Sequence, residues 1–367
     1  MKYYIIAGEA SGDLHGSNLM KSILKKDPNA EFRFWGGDLM QAVGGTMVKH
    51  YRDLAFMGFV EVLMNLRTIL TNIKICKEDL KQYQPDTLIL IDYPGFNLRV
   101  AEFAKSLGIK VIYYISPQLW AWKEGRVKKI RDHVDEMLVI LPFEKDFYKK
   151  HKVDVHFVGH PLLDAIKDLP SINEEEFKKA NHLNNKEIIA LLPGSREQEV
   201  VKMLRLMLSV RPYFPDYQFV IAGAPSLPKE FYQSYVDENV HFVSNKTYDL
   251  LRCSKAALVT SGTATLETAL LNIPEVVCYR SSKISYEIGK RLIGKNIKYI
   301  SLVNLIMDRE VVTELIQDEL NTSNLVKELQ LVLDSNRAKI LSDYEDLRIK
   351  LGNRGASDNA AEIIVNQ

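Results

Sequence analysis

The chain has 367 residues, of which 46% are hydrophobic and 26% charged. At roughly 100–200 residues per domain, that length means two domains or three, each able to bury its own core. With 48 Lys+Arg against 47 Asp+Glu the net charge is +1. A general nucleic-acid binder usually carries a marked basic excess, which disfavours that class, and the apolar content is too high for a disordered chain.

Short β-branched runs alternate with longer amphipathic stretches, the pattern of a parallel sheet with crossover helices. In the first half, strands are predicted at Tyr3–Ala7, Phe32–Trp35, Thr87–Ile91, Val111–Ile115, Met137–Leu141 and Val155–Val158. Helices are predicted at Gly12–Lys25, Met64–Gln82, Leu98–Leu107 and Glu124–His133. Several of these strands are apolar throughout, as expected where both sheet faces are covered. Residues 164–187 are polar and acidic, and read as a linker with one short helix. A second strand series follows at Ile188–Leu192, Phe219–Ala222, Val240–Val243, Ala257–Thr260, Glu275–Cys278 and Ile297–Ser301. From Thr313 onward the pattern is helical only. The fold class expected is α/β, two doubly wound Rossmann-like domains with a C-terminal helical tail. The boundaries expected are 1–165, 166–340 and 341–367, the tail packing on the first domain or on a partner chain.

Cys76, Cys253 and Cys278 are widely spaced, with no C-x-x-C, which argues against a disulfide scaffold and for a reducing cytosol. The N-terminal apolar run is too short for a signal-peptide core. No stretch free of Asp, Glu, Lys and Arg exceeds 12 residues, whereas a membrane helix needs about 20 apolar ones. Membrane contact is therefore expected to be peripheral.

Ligands of doubly wound sheets bind beyond the carboxyl ends of strands, so the loops after strands carry the chemistry. Gly8-Glu9-Ala10-Ser11-Gly12-Asp13 follows the first strand. Its acids disfavour a dinucleotide pyrophosphate, and Glu9 suits a hydroxyl-rich or cationic group; Asp13 alternatively only caps a helix. Asp92 ends the apolar strand Thr87–Ile91. Desolvation there raises a carboxyl pKa towards that of a general base, unless Asp92 only bonds backbone N–H groups in a turn. Trp120 and Trp122 stand beside a basic stretch, fitting either an anionic amphiphile or a plain core pair with a solvated face. Leu192-Pro193-Gly194-Ser195-Arg196 offers close backbone approach and a guanidinium fork for phosphate. Ser261-Gly262-Thr263 opens another helix, a cradle for a diphosphate, with Glu267 one turn on for a ribose diol or, instead, for helix stabilisation.

There is no Asp-x-Asp, which weakens a carboxylate-held divalent metal. His156 and His160 are four apart, but Gly159 and Pro161 argue against a helical zinc pair. Neither a G-x-S-x-G elbow nor a P-loop occurs. No metal and no cofactor are expected.

In combination and in order, GEASGD, DLAFMGFVEVL, IDYPGFN, SPQLWAW, LPFEKDFY, VGHP, LPGSR, SGTATLE and SLVNLI resemble the lipid-A-disaccharide synthase family nearly end to end. The resemblance implies a GT-B glycosyltransferase fold with two domains facing a cleft. It implies transfer of diacylglucosamine from UDP-2,3-diacylglucosamine to lipid X, 2,3-diacylglucosamine 1-phosphate. The linkage implied is β-1,6, formed with inversion and without a metal, at the cytoplasmic face of a Gram-negative inner membrane. By the same resemblance Asp92 is the general base and Glu9 a second acidic active-site residue. Arg196 and Asn304 go to the diphosphate and Glu267 to the ribose; Ser261, Gly262 and Thr263 join them on the helix-terminus argument alone. The family often reads D-x-P-D-F-N, but here Gly95 stands at the second acid, and SPQLWAW replaces the commoner SPSVWAW.

The acyl chains need an apolar surface, and Met57, Phe59, Val60 and Leu63 are the leading candidates, with Trp120 and Trp122; burial in a core is the competing role. Residues 123–131 hold five basic residues against Glu124, and 280–298 six against Glu287, suited to anionic headgroups and a sugar phosphate. No nucleic acid is expected as a partner, and a homodimer is left open. Rival readings are a UDP-N-acetylglucosamine 2-epimerase or another GT-B transferase, and a non-catalytic UDP-sugar-binding protein.

Overall fold

The computed structural model describes the chain except residues 55–65, 120–123, 168, 225–226, 282–297, 353–354 and 367. Met57, Phe59, Val60, Leu63, Trp120 and Trp122 therefore lie outside the described residues, as do most of the basic positions at 280–298. The chain divides into two compact units, Met1–Asp164 with Leu351–Gln367, and Ala165–Lys350.

The first unit is built on a seven-stranded parallel sheet: β1 (Lys2–Ala7), β2 (Glu31–Gly36), β3 (Thr46–His50), β4 (Thr87–Ile91), β5 (Lys110–Tyr114), β6 (Glu136–Val139) and β7 (His156–Phe157), in the order β3-β2-β1-β4-β5-β6-β7. The second carries β8 (Glu187–Leu192), β9 (Tyr217–Gly223), β10 (Val240–Ser244), β11 (Ser254–Thr260), β12 (Glu275–Tyr279) and β13 (Glu314–Ile316), in the order β10-β9-β8-β11-β12-β13. Each sheet is thus doubly wound, and its strand order reverses once, between β1 and β4 and between β8 and β11. The central strands are buried on both faces: β4 is buried at all five positions, and β1 and β8 at all but the first. Helices on both sides make that apolar continuity necessary.

Three parts of the sequence reading change. Of the expected strand Ile297–Ser301, Ile297 lies outside the described residues and 298–301 form no strand: Ser301 is the N-cap of the helix Leu302–Met307, its side chain accepting from Asn304 N. The sixth strand is instead Glu314–Ile316, in the region read as helical only. β3 is also additional. Both are short edge strands, with buried positions scarce or absent, so no apolar period marks them.

The last stretch is shared between the units. The helix Arg337–Lys350 belongs to the second, and Ala356–Val365 to the first, where it packs on the helix Ala10–Lys26. Buried Ala356, Ala360 and Ala361 keep those two helices close. Lys25 pairs with Asp358 and Lys26 with Glu362. Asp164 accepts the Gly355 N–H at 2.7 Å, and Asn359 Nδ2 donates to the Val158 carbonyl at 3.1 Å. The three cysteines are buried thiols. No helix among the described residues is long and apolar enough to cross a membrane.

Candidate active site

In the first unit, β1 and β4 are neighbours in register, with Ala7 opposite Ile91. Glu9 and Asp92, far apart in sequence, therefore leave adjacent strand ends at the point where the strand order reverses. That crevice is where doubly wound sheets place ligands. Glu9 is the N-cap residue of the helix Ala10–Lys26, but its side chain makes no capping bond there. Asp13 does cap a helix, though not its own. Its carboxylate accepts N–H bonds from Gly37, Leu39 and Met40 at 2.8, 3.1 and 3.0 Å, fixing the start of the helix Asp38–Val43 after β2.

Asp92 carries a carboxyl pushed up to about 7. Desolvation by the surrounding protein is the largest cause, the Glu9 charge the second, and a bond from the Tyr93 N–H opposes both. The residue is nonetheless solvent-exposed. The carboxyl is thus crowded without being sealed. Glu9 supplies the charged neighbour that the local sequence lacks.

The backbone here is unusual. Asp92 and Tyr93 are left-handed, with φ of 42° and 48°, and so is Ile115 after β5, at 65°. A β-branched residue in that region costs roughly 1–3 kcal/mol and marks a constrained site. Gly8 is also required, because a Cβ there would fall 2.4 Å from Cγ of the Tyr93 ring. At Gly95 a Cβ would meet nothing within 4 Å, so packing does not forbid the acid found there in the family pattern.

The same sheet edge holds further polar groups; of these the sequence reading weighed only His160, and only as half of a zinc pair. Glu144 is buried, accepts the Leu141 N–H at 3.0 Å, and has its carboxyl raised to about 8, chiefly by desolvation. Ser116 Oγ and the Tyr148 hydroxyl share a hydrogen bond of 2.8 Å. Burial holds His15 and His160 neutral, at about 4 and 3, with His15 adding to the effect on His160. His15 lies just after GEASGD, inside the helix Ala10–Lys26, and His160 lies in VGHP, four residues from His156. His156, by contrast, pairs with Glu136, so His156 and His160 do not converge.

In the second unit β8 and β11 are the neighbours, with Leu192 opposite Val259. This brings Leu192-Pro193-Gly194-Ser195-Arg196 and Ser261-Gly262-Thr263 to one reversal point. Arg196 is exposed, as the N-cap residue of the helix Glu197–Leu208. The room beside Gly194 (φ 116°) is already used: Glu199 Oε2 lies 2.2 Å from where a Cβ would stand, and it accepts the Ser195 N–H at 3.1 Å. The glycine loop therefore leaves no open cradle beside Gly194. Gly262 and Thr263 are exposed at the start of the helix Thr263–Leu270, and a Cβ on Gly262 would meet nothing within 4 Å. Ser261 Oγ is engaged with the Ile300 carbonyl at 3.0 Å.

Glu267 is half-buried, its carboxyl raised by desolvation and partly restored by a bond from the Tyr248 hydroxyl. Asn304 is fully buried. Its Oδ1 accepts from Val311 N and Val312 N at 2.7 and 3.1 Å, and its Nδ2 donates to the Val312 carbonyl and Glu314 at 2.8 and 2.9 Å. With all its polar capacity used inside the protein, the side chain does not reach out to a diphosphate. It ties the 301–304 turn to β13 instead. Among the described residues no cluster of His, Cys, Asp or Glu is arranged to hold a metal ion.

A family profile described as lipid-A-disaccharide synthetase matches residues 3–366. A lipid-A-disaccharide synthase of Geobacter metallireducens is 40% identical, over 98% of this chain and 96% of its own length. One of Syntrophus aciditrophicus is also 40% identical, over 97% and 95%. Among solved structures, a Methanocaldococcus jannaschii UDP-GlcNAc 2-epimerase in complex with UDP-GlcNAc and UDP superposes with a TM-score of 0.68 at 11% identity, covering both chains completely. At that identity the likeness speaks for the fold alone.

Proposed function

Because the chain belongs to the lipid-A-disaccharide synthetase family, we propose that it joins two diacylated glucosamines, taking one from UDP-2,3-diacylglucosamine and adding it to 2,3-diacylglucosamine 1-phosphate with release of UDP. The observation that carries this reading is the placing of Glu9 and Asp92 at the β1/β4 reversal, with the Asp92 carboxyl lifted to about 7. A carboxylate of that basicity takes a proton from a sugar hydroxyl far better than an ordinary aspartate does.

The steps follow from the residues. Asp92 accepts the proton of the acceptor 6-hydroxyl as its oxygen attacks the anomeric carbon of the donor. The bond from that carbon to the diphosphate oxygen breaks, and UDP leaves with the electron pair, which inverts the anomeric centre. Glu9 holds the acceptor and keeps Asp92 basic through its charge. In the second unit Arg196 and the first turn at Ser261, Gly262 and Thr263 stabilise the charge growing on the departing diphosphate. Glu267 exchanges its Tyr248 partner for the ribose, and Asn304 acts indirectly, by holding the turn. Met57, Phe59, Val60, Leu63, Trp120 and Trp122 are assigned to the acyl chains, and the basic stretches to an inner-membrane surface touched from the cytoplasmic side.

The epimerase likeness is one of fold alone, so it decides neither the donor nor the presence of a second sugar. An acceptor assay separates the two readings. UDP release from UDP-2,3-diacylglucosamine should depend on 2,3-diacylglucosamine 1-phosphate, yield the disaccharide, and be unchanged by EDTA. Turnover of the donor without the acceptor would overturn the proposal. Arg196→Ala should raise KM for the donor roughly 10–100-fold, the loss expected for a charge-assisted phosphate contact. An unchanged donor KM would remove Arg196 from the diphosphate.

A further inference from the structure

At the end of β4 the backbone carbonyl of Asp92 is as heavily engaged as its carboxyl. The Tyr113 hydroxyl donates to it, and Asn97 Nδ2 donates to it at 2.7 Å. Asn97 Nδ2 also reaches the Ile91 carbonyl at 3.3 Å. The Asp92 N–H in turn donates to the carbonyl of Ile115 at 3.3 Å. Both donors come from buried positions, Tyr113 on β5 and Asn97 in the helix Pro94–Ser106.

These bonds fall on a backbone that needs them. If β4 continued as a strand, the Asp92 side chain would be turned onto one face of the sheet, among the covering helices. Two consecutive left-handed residues, at φ 42° and 48°, turn the chain out of the strand path instead. Non-glycine residues persist in that region only where their surroundings over-determine them. The orientation of Asn97 fits this role. Among the described residues its Oδ1 has no hydrogen-bond partner, and a flipped amide would set that oxygen against two carbonyls, so the side chain is there to donate.

We propose that Tyr113 and Asn97 are positioning residues, which hold Asp92 in the left-handed turn that keeps its carboxyl at the sheet edge near Glu9. The proposal rests on the reading of Asp92 as the base. Neither residue touches substrate in this scheme; each acts through the peptide of Asp92. A displacement of about 1 Å at a reacting group costs up to about 100-fold in rate, which is the scale at stake.

Steady-state kinetics of disaccharide formation by the full chain test it, each variant first checked for folding by circular dichroism and thermal melting. Tyr113→Phe removes one donor at almost constant volume. It should lower kcat about 10-fold with both KM values within about twofold, the signature of an interaction needed only in the transition state. Asn97→Ala should do the same, and the double variant should lose about 100-fold. In an Asp92→Ala background, Tyr113→Phe should change the residual rate by less than about twofold, because the residue it positions is gone. An unchanged kcat in Tyr113→Phe beside an inactive Asp92→Asn would overturn the positioning and leave the base. Equal losses in the wild-type and Asp92→Ala backgrounds would likewise overturn it, as a general structural effect. A fully active Asp92→Asn would instead overturn the reading on which the proposal rests.

Discussion

Asp92→Asn should lower kcat for disaccharide formation by roughly 10²–10⁴-fold, the range a positioned general base contributes, and leave donor binding intact. The substitution is nearly isosteric. The backbone bonds from Tyr113 and Asn97 go to the carbonyl, which asparagine keeps. Only the proton acceptor is lost. The wild-type rate should fall about tenfold per pH unit below about 7, because Asp92 must be ionised to act and its carboxyl is pushed up to about 7. Glu9→Gln gives a sharper test of the pair. Removing the neighbouring negative charge makes the ionised form of Asp92 easier to reach, so the acid limb of the pH–rate profile should move to lower pH. A limb that stayed in place, or moved up, would separate Glu9 from Asp92 electrostatically. Substantial activity in Asp92→Asn would shift the base to another group, with Glu9 the first to examine.

Strands apolar on both faces were legible because burial from two sides leaves one sequence solution, and β1, β4, β8 and β11 all show it. Edge strands have only one covered side and little length, which hid β3 and Glu314–Ile316. The strand-end rule found Glu9 and Asp92 separately. It could not place them side by side, because adjacency of β1 and β4 is a property of strand order, decided after the helices pack. The left-handed turn at Asp92 was likewise invisible, since no glycine marks it. Asn304 shows the opposite failure. A polar residue after a serine N-cap looks accessible in sequence, yet a turn that must be anchored to a neighbouring strand consumes the same amide. Glu144 was missed because a single buried acid at the start of a short helix looks, in sequence, like an ordinary first-turn carboxylate.

In the second unit a fully buried acid serves no proposed step. Glu275 opens β12 with no exposed surface, and neither carboxyl oxygen has a hydrogen-bond partner among the described residues. Desolvation raises its pKa well above the usual carboxylate value, and the nearby Glu314 raises it further. Glu314 itself receives bonds from Ile300 N, Ser301 N, Ser301 Oγ and Asn304 Nδ2, so its position is fixed and it cannot turn to serve Glu275. The folded protein therefore keeps a proton on Glu275 that the unfolded chain releases above about pH 4.3. Between that value and the raised folded value the unfolded state binds fewer protons, so stability falls as pH rises. Glu275→Met removes both the orphaned oxygens and the titration, at similar volume. It should stabilise the second unit by about 2–6 kcal/mol at pH 8, from two buried polar atoms at roughly 1–3 kcal/mol each, a rise of several degrees in its melting temperature. The gain should shrink towards pH 4.5. Glu275→Gln should abolish the pH-dependent part while keeping an unsatisfied amide, and so fall between the two. Thermal melts of the three proteins at pH 4.5, 6 and 8 decide the matter. A methionine variant no more stable than wild type at pH 8, or one whose advantage did not grow with pH, would show that Glu275 does not carry the buried, proton-linked cost assigned to it.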